Sequence, residues 1–329
     1  MRRRDFVTAA AGALLAASRI GQAQIGSARP VVAYLGIASP ASDLPYVEGL
    51  RLGLRQLGYV PGATIELDER YADGSIERFR ELLGEVLARG VEVIVVPGIA
   101  AALAVRELAP QVPVVAVGLP SSVLYPDLFA SLHRPGGSVT GFSPFGEDLA
   151  AKRVELLRET VPDLTVLAIL HNTIDPLYRS WGEKTEEAAR QQGLQTLRLG
   201  VRSRSKPELD ALMQSAQESG AQGLIIVRDF LTHLLQEEIA RRANAMGMAT
   251  MAEQRVFVEQ GGLMSYGADL PELFRRAATY VDEILNGASP AEMPIQLATE
   301  FELVVNLQTA TELALTIPTA ILLRAEVLE

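Results

Sequence analysis

Apolar, β-branched runs alternate with stretches of helical period along most of the 329 residues, and the alternation is played through twice. That rhythm belongs to α/β chains with parallel sheets. In the first half the runs are VVAYLG from Val31, ATIELDERY from Ala63, VEVIVVPG from Val91, VPVVAVG from Val112 and SVTGF from Ser138. In the second they are LTVLAILHN from Leu164, LQTLRLGV from Leu194, AQGLIIVRD from Ala221, MATMAE from Met248 and GGLMSYG from Gly261. Helical segments lie between, such as SIERFRELLGEVLARG, whose Ile76, Phe79, Leu82, Leu83, Val86 and Leu87 make one stripe before Gly90. In each half the first two runs start about 30 residues apart, the length of one strand-helix-strand unit. Right-handed crossovers then gather the C-terminal ends of the strands on one edge. The expectation is an α/β protein of two similar doubly wound parallel-sheet lobes.

The segment GEDLAAKRVELLRETV, with Ala150, Val154, Leu157 and Val161 on one face, opens the second lobe and makes Thr140 to Gly146 the first linker, with Ser143 as a helix-start residue. After the last run comes DLPELFRRAATYVDEILNG, whose Leu270, Leu273, Phe274, Ala277, Val281, Ile284 and Leu285 form a stripe that must pack on something. The remaining PAEMPIQL, FELVVNL and PTAILLRAEVLE are too short for a third domain. These pieces are expected to pass between the lobes, giving lobe 1 residues 28–142 and 268–295 and lobe 2 residues 143–267 and 296–329. Several parallel linkers make a hinge that bends but resists free rotation.

The first residues bear on the compartment. Arg2, Arg3 and Arg4 precede an apolar run, Val7 to Ala17, broken only by Thr8. A bilayer core needs roughly 20 apolar residues in a helix, so this run suits an export leader better than an anchor. Gly21-Gln22-Ala23 supplies the small-x-small cleavage pattern, which ends the leader at residue 23 and starts the mature chain near Gln24. Arg3-Arg4-Asp5-Phe6-Val7 resembles a twin-arginine signal, although Arg2 stands where Ser or Thr is more usual. The chain has no cysteine, hence neither disulfide nor thiolate chemistry. Its net charge of −10 falls to −13 without the leader, the opposite of the basic footprint that nucleic acid demands.

No catalytic signature emerges. His133, His171 and His233 lack metal-ligand spacing, and no metal or cofactor is expected. GFSPFG at Gly141 has one residue too many for a nucleophile elbow, and VPGIAAAL at Val96 lacks the glycine fingerprint of phosphate loops. In open parallel sheets, however, ligands sit beyond the C-terminal ends of the strands, and two facing lobes make a closable cleft. In the first lobe those tips carry Ser39, Gly98, Ala100, Ala101, Ser121 and Thr140, small hydroxyls and helix-start amides suited to a carboxylate. In the second they carry Asn172, Asp229, Glu253 and Asp269, able to hold an ammonium. Tyr46, Phe142, Tyr178, Phe230 and Tyr266 are candidate walls. Competing readings stand beside these. Asp269-Leu270-Pro271-Glu272 is also a capping box, Asp175 is a good N-cap before Pro176, Asn172 suits a turn, Arg228 and Arg255 read equally well as solvated, and Trp181 reads as packing.

Together, the arginine-rich leader, YVEGLRLGLRQLGYVPG, LHRPGGSVTGF, LAAKRVELLRETVPD, GGLMSYG and FELVVNLQTATELALTIPTAILLRAEVLE resemble the ABC-transporter substrate-binding proteins of the tryptophan/tyrosine-binding type, from about Val31 to Glu329. The resemblance implies a type I periplasmic binding fold with three crossovers. It also implies an exported, periplasmic, monomeric protein that is not an enzyme. Such a protein holds a small carboxylated ligand, an amino acid with an apolar or aromatic side chain, and delivers it to a membrane permease and its ATPase. The chain departs from the family at Gly118-Leu119-Pro120, Asn172-Thr173-Ile174-Asp175-Pro176 and Arg228-Asp229-Phe230. The competing readings are an exported hydrolase-like α/β enzyme using the same cleft and a ligand-sensing domain of the same fold. Replacing Arg3 and Arg4 by Lys is expected to leave the chain unexported with its leader attached, as read by fractionation and intact mass. Export and processing surviving the double substitution assigns it to the general route.

Overall fold

The structure, a computed structural model, describes residues 29–121, 126, 128–144 and 149–329; the expected leader and part of the first linker lie outside the described residues. Two sheets carry the fold. The first comprises β1 (Val31–Gly36), β2 (Glu66–Tyr71), β3 (Val93–Pro97), β4 (Val114–Val117), β5 (Val139–Ser143) and, late in the chain, β11 (Gln296–Leu297). Its helices are α1 (Pro40–Gln56), α2 (Ile76–Ala88) and α3 (Ile99–Leu108). The second sheet comprises β6 (Val166–Asn172), β7 (Gln195–Val201), β8 (Gly223–Ile226), β9 (Ala249–Ala252), β10 (Met264–Gly267), β12 (Glu302–Asn306) and β13 (Glu326–Leu328). Around it lie α4 (Leu149–Thr160), α5 (Pro176–Gln191), α6 (Lys206–Glu218), α7 (Phe230–Leu234), α8 (Gln236–Ala245), α9 (Arg255–Glu259), α11 (Leu307–Glu312) and α12 (Thr319–Leu322).

Strand order is β2-β1-β3-β4-β5-β11 in one sheet and β7-β6-β8-β9-β10-β12-β13 in the other. In both, the first strand is inserted between the second and third, so the winding reverses at β1/β3 and again at β6/β8. The residues explain which strands are central. β3, β4, β8 and β9 are apolar and almost wholly buried, as strands covered by helices on both faces must be. The edge strands β2 (ELDERY) and β7 (QTLRLGV) carry the polar side chains. Alternate residues of β1 enter different cores, Ala33 and Leu35 on one face and Val32 and Tyr34 on the other. Leu167 and Ile169 are likewise split from Ala168 and Leu170 in β6.

The long stripe after β10 belongs to the first sheet. It forms α10 (Leu270–Leu285), whose Leu273, Phe274, Ala277 and Val281 join Val47, Leu50 and Leu54 of α1 in one core. Fully burying such a side chain contributes roughly 1.5–3 kcal/mol. The two helices approach so closely that a Cβ at Gly53 would lie 2.1 Å from the Arg275 carbonyl oxygen. The chain therefore crosses between the sheets after β5, after β10 and after β11.

Three details differ from expectation. Gln296 and Leu297 pair with Phe142 and Ser143, so the last crossing falls beyond residue 297, not at 296. Ser143 ends β5 and accepts from Ala298 N at 2.8 Å; it starts no helix. Moreover β12 runs antiparallel to β10, Glu302 lying opposite Gly267. The reason is direction of entry: the chain returns to the second sheet at the edge where β10 leaves it, and from there it can only run back.

Gly53→Ala is expected to lower stability by roughly 1–3 kcal/mol, the usual cost of overpacking a close contact. Gly84, in α2, has open space around its position, and Gly84→Ala should raise stability by about 0.4–1 kcal/mol. Urea unfolding of both variants checks the pair.

Candidate functional site

Where the two winding reversals face each other there is a cavity. Its first-sheet side is made by Ile37 and Ala38 beyond β1 and by Pro97, Gly98, Ile99 and Ala100 at the end of β3. Its second-sheet side is made by Tyr178 of α5, and by Arg228, Phe230 and His233 beyond β8. Counting its mouth and the solvent in it, the space between these residues is about 410 Å³. Gly98 N-caps α3 at φ 88°, a backbone conformation open to glycine, and so turns the chain at the cavity edge.

Contacts between the two sides hold the cleft closed. The Tyr46 hydroxyl of α1 donates to Gln254 Oε1 beyond β9 at 3.1 Å, and its ring lies between His233 (6.2 Å) and Phe274 (5.1 Å). Near the far end Arg204, beyond β7, donates to the Asp73 carbonyl at 2.8 Å. Leu177 and Tyr178 are buried in the first sheet's core cluster, with Trp181 and Phe230 packed against it. Tyr178 meets Trp181 edge-on at 5.3 Å.

Asp43, in the first turn of α1, also borders the cavity and is 1% exposed. Burial pushes its carboxyl up to about 6, against the pull of the Tyr34 hydroxyl and the Arg228 charge. Burial pushes the His233 imidazole down to about 3, and the Arg228 charge adds to it. Neither ring nitrogen makes a well-formed hydrogen bond, though Gln236 and the Ser42 backbone sit nearby.

Of the residues expected at the site, Gly98, Ala100 and Phe230 border the cavity, and Tyr46 adjoins it through His233. The others are engaged elsewhere. Ser39 caps α1 through Ser42 N at 3.3 Å, and Ala101 is buried in the core. Ser121 lies half-buried in the loop after β4. Thr140 donates to the Met293 carbonyl at 2.7 Å. Phe142 packs on Tyr280 at 4.9 Å, under the Arg276 guanidinium. Asn172 donates to Asp229, whose other oxygen accepts from Thr232 N at 2.8 Å in a capping box on α7. Asn172 and Asp229, expected to hold an ammonium, are thus hydrogen-bonded to each other and to α7 in this structure. Glu253 pairs with Arg153 at 3.4 Å and accepts from Arg228 N at 3.3 Å. Tyr266 has its ring 6.2 Å from Phe301, and its carbonyl accepts from Arg153. Asp269 caps α10 through Glu272 N at 3.0 Å and borders a separate groove beside Arg255, Glu259, Glu302 and Glu326, where burial and Asp269 lift Glu302 to about 7.

Asp43 escaped the sequence reading, which named Arg228 and His233 without placing them at the site. A first-turn acid reads as a helix-dipole partner, and an arginine beside Asp229 reads as a solvated neighbour. The available signal was their position, directly beyond the first and third strands of their halves.

Two doubly wound lobes meeting over a cavity at both winding reversals define a solute-binding protein of the type I periplasmic fold. The chain belongs to the ABC transporter substrate binding protein family, whose model matches residues 32–328. It is 21% identical over 259 residues to the tyrosine-binding protein of Clostridioides difficile strain R20291, covering 79% of this chain and 73% of that one. Two solved structures share the fold. One is a conserved domain protein from Vibrio cholerae O1 biovar El Tor (24% identity, TM-score 0.84, 92% of this chain and 100% of that one). The other is an ABC domain in complex with L-Trp from Streptococcus pneumoniae (23% identity, TM-score 0.80, 91% and 99%).

The buried pair fixes a pH dependence. Unfolded His233 takes up a proton near 6.5 that the folded protein refuses until about 3, so its contribution to stability is whole above pH 6.5 and is lost as pH falls. Asp43 acts oppositely: between about 6 and 3.8 the folded chain keeps a proton that the unfolded chain releases, so its contribution grows as pH falls. Each contributes a slope of up to about 1.4 kcal/mol per pH unit. Between pH 6 and 4, Asp43→Asn should therefore lose stability more steeply than the parent on acidification, and His233→Gln less steeply. Urea unfolding at pH 4, 5, 6 and 7 reads both.

Proposed function

We propose that this chain is the exported receptor of an ABC importer, closing its lobes on an amino acid with an apolar or aromatic side chain and handing it to a membrane permease and its ATPase. The observation that carries this reading is the cavity bounded by both lobes, with Tyr178 and Phe230 on one side and Ile37 and Ile99 on the other. A guest there touches both lobes at once. Only such differential contact shifts a hinge toward its closed form. The aromatic and aliphatic walls suit an apolar side chain, in keeping with the relatives named for tyrosine binding and seen with L-Trp. The protein works by binding, without turnover, on the outer side of the membrane.

The test is isothermal calorimetry on protein unfolded and refolded to strip bound ligand, titrated with L-tryptophan, L-tyrosine, L-phenylalanine, L-leucine and small carboxylates. A dissociation constant near ~1 μM, about −8 kcal/mol, is expected for an aromatic or aliphatic amino acid, with a negative heat-capacity change and unaltered ligand on mass spectrometry. Conversion of a ligand into product, or no heat from any amino acid, would overturn the reading.

A further inference from the structure

The cleft holds two buried charged groups whose polar neighbours include neutral hydroxyls, Tyr34 beside Asp43 and Tyr46 beside Arg228, and neither forms an ion pair among the described residues. Arg228 borders the cavity, and its neighbouring hollows toward the second core and the hinge border it as well. Its Nε has no acceptor, and among the described residues it forms no ion pair. The Tyr46 hydroxyl lies within hydrogen-bonding reach of its guanidinium, Tyr178, Glu253 and Asp43 act on its charge from further off, and Glu253 is already paired with Arg153. Across the cavity, on the other lobe, Asp43 Oδ2 is buried with no hydrogen-bond partner. A Cβ at residue 36 would lie 2.1 Å from that oxygen, so Gly36 is what lets the carboxylate lie against the end of β1.

A buried ion without a counterion costs the folded state dearly, and proteins retain one where something else supplies the opposite charge. Here two such ions, of opposite sign, border one cavity from opposite lobes without forming an ion pair. A sugar or a neutral apolar guest leaves both unsatisfied. A zwitterion satisfies both, through charge-assisted hydrogen bonds at its two ends.

We infer that Arg228 and Asp43 set the ligand class: Arg228 takes the carboxylate and Asp43 the ammonium of a free α-amino acid that bridges the lobes. This deepens the function proposed above and rests on it. The guanidinium presents several donors in a planar fork that matches a carboxylate, a geometry lysine lacks. Phe230, two residues beyond Arg228, and Tyr178 leave an apolar face between the charged ends for the side chain. His233, beside Arg228, adds no second cation, because burial keeps it neutral.

Three probes separate the two ends: L-tryptophan, L-tryptophanamide, which lacks the carboxylate, and indole-3-propionate, which lacks the amine. The parent protein is expected to bind L-tryptophan at least about 30-fold more tightly than either analogue, which is about 2 kcal/mol for a charged hydrogen-bonded end. Arg228→Gln should weaken L-tryptophan by a similar factor while changing L-tryptophanamide little. Asp43→Asn should weaken L-tryptophan while changing indole-3-propionate little. Should either variant fail to fold, the parent's preference among the three probes still decides the matter. Equal affinity for all three overturns the assignment, as does a loss in the variants that is uniform across probes. If the parent binds no free amino acid, the functional reading falls and takes this assignment with it; if it binds one and the variants do so equally well, the assignment alone falls.

Discussion

The contact between α1 and α10 is the constraint on which the rest of the molecule depends. It takes a helix that follows the second sheet's last parallel strand and packs it against the first sheet, with Leu273, Phe274, Ala277 and Val281 set among Val47, Leu50 and Leu54. A chain so anchored must cross between the sheets three times. The crossings leave from the ends of β5, β10 and β11, so the hinge is built at the same edge of each sheet where ligand-binding loops gather. Fold closure and site position are one consequence of one packed pair of helices. The small residue at Gly53 is part of it, because a side chain there would hold the Arg275 backbone away.

Architecture was legible because it is written in redundant signals. Strand runs, helical stripes and their spacing all indicated two halves, and the central strands β3, β4, β8 and β9 are buried as their composition requires. What could not be read was direction and register at the end of the chain. FELVVNL is strand-like whichever way it runs, and the antiparallel course of β12 follows only from the edge at which it enters. The short β11 depends on pairing with Phe142 and Ser143, a long-range partner that no local pattern announces.

The site was legible at the level of place, less so at the level of residue, for a specific physical reason. In a doubly wound sheet each strand tip is followed by a helix, so the position that can reach a ligand is also the position that caps. Ser, Asp and Asn suit both tasks. Ser39, Asp229 and Asp269 are caps here, and Asn172 is held by Asp229. Sequence gives the chemistry of such a residue but not where its oxygens are engaged. The residues that do border the cavity with unsatisfied atoms, Asp43 and Arg228, looked ordinary because an acid in a first helical turn and an arginine beside an acid each have a ready surface explanation.

The placement of these two charges also bears on how closure is controlled. Asp43 rides with the first lobe and Arg228 with the second, so parting of the lobes would open the cavity side of each to water and closing would remove that water. Closing without a guest removes solvent from both and returns to Arg228 the Tyr46 hydroxyl but no counterion to either. Tyr46–Gln254 and Arg204–Asp73 can hold a closed form once reached, but they are single hydrogen bonds, each contributing about 1 kcal/mol net. A guest carrying both opposite charges removes the desolvation cost and leaves those contacts and the Tyr178 packing to act. The same buried charges that select the ligand thus penalise empty closure, and a receptor that must signal occupancy to a transporter needs both effects from one arrangement.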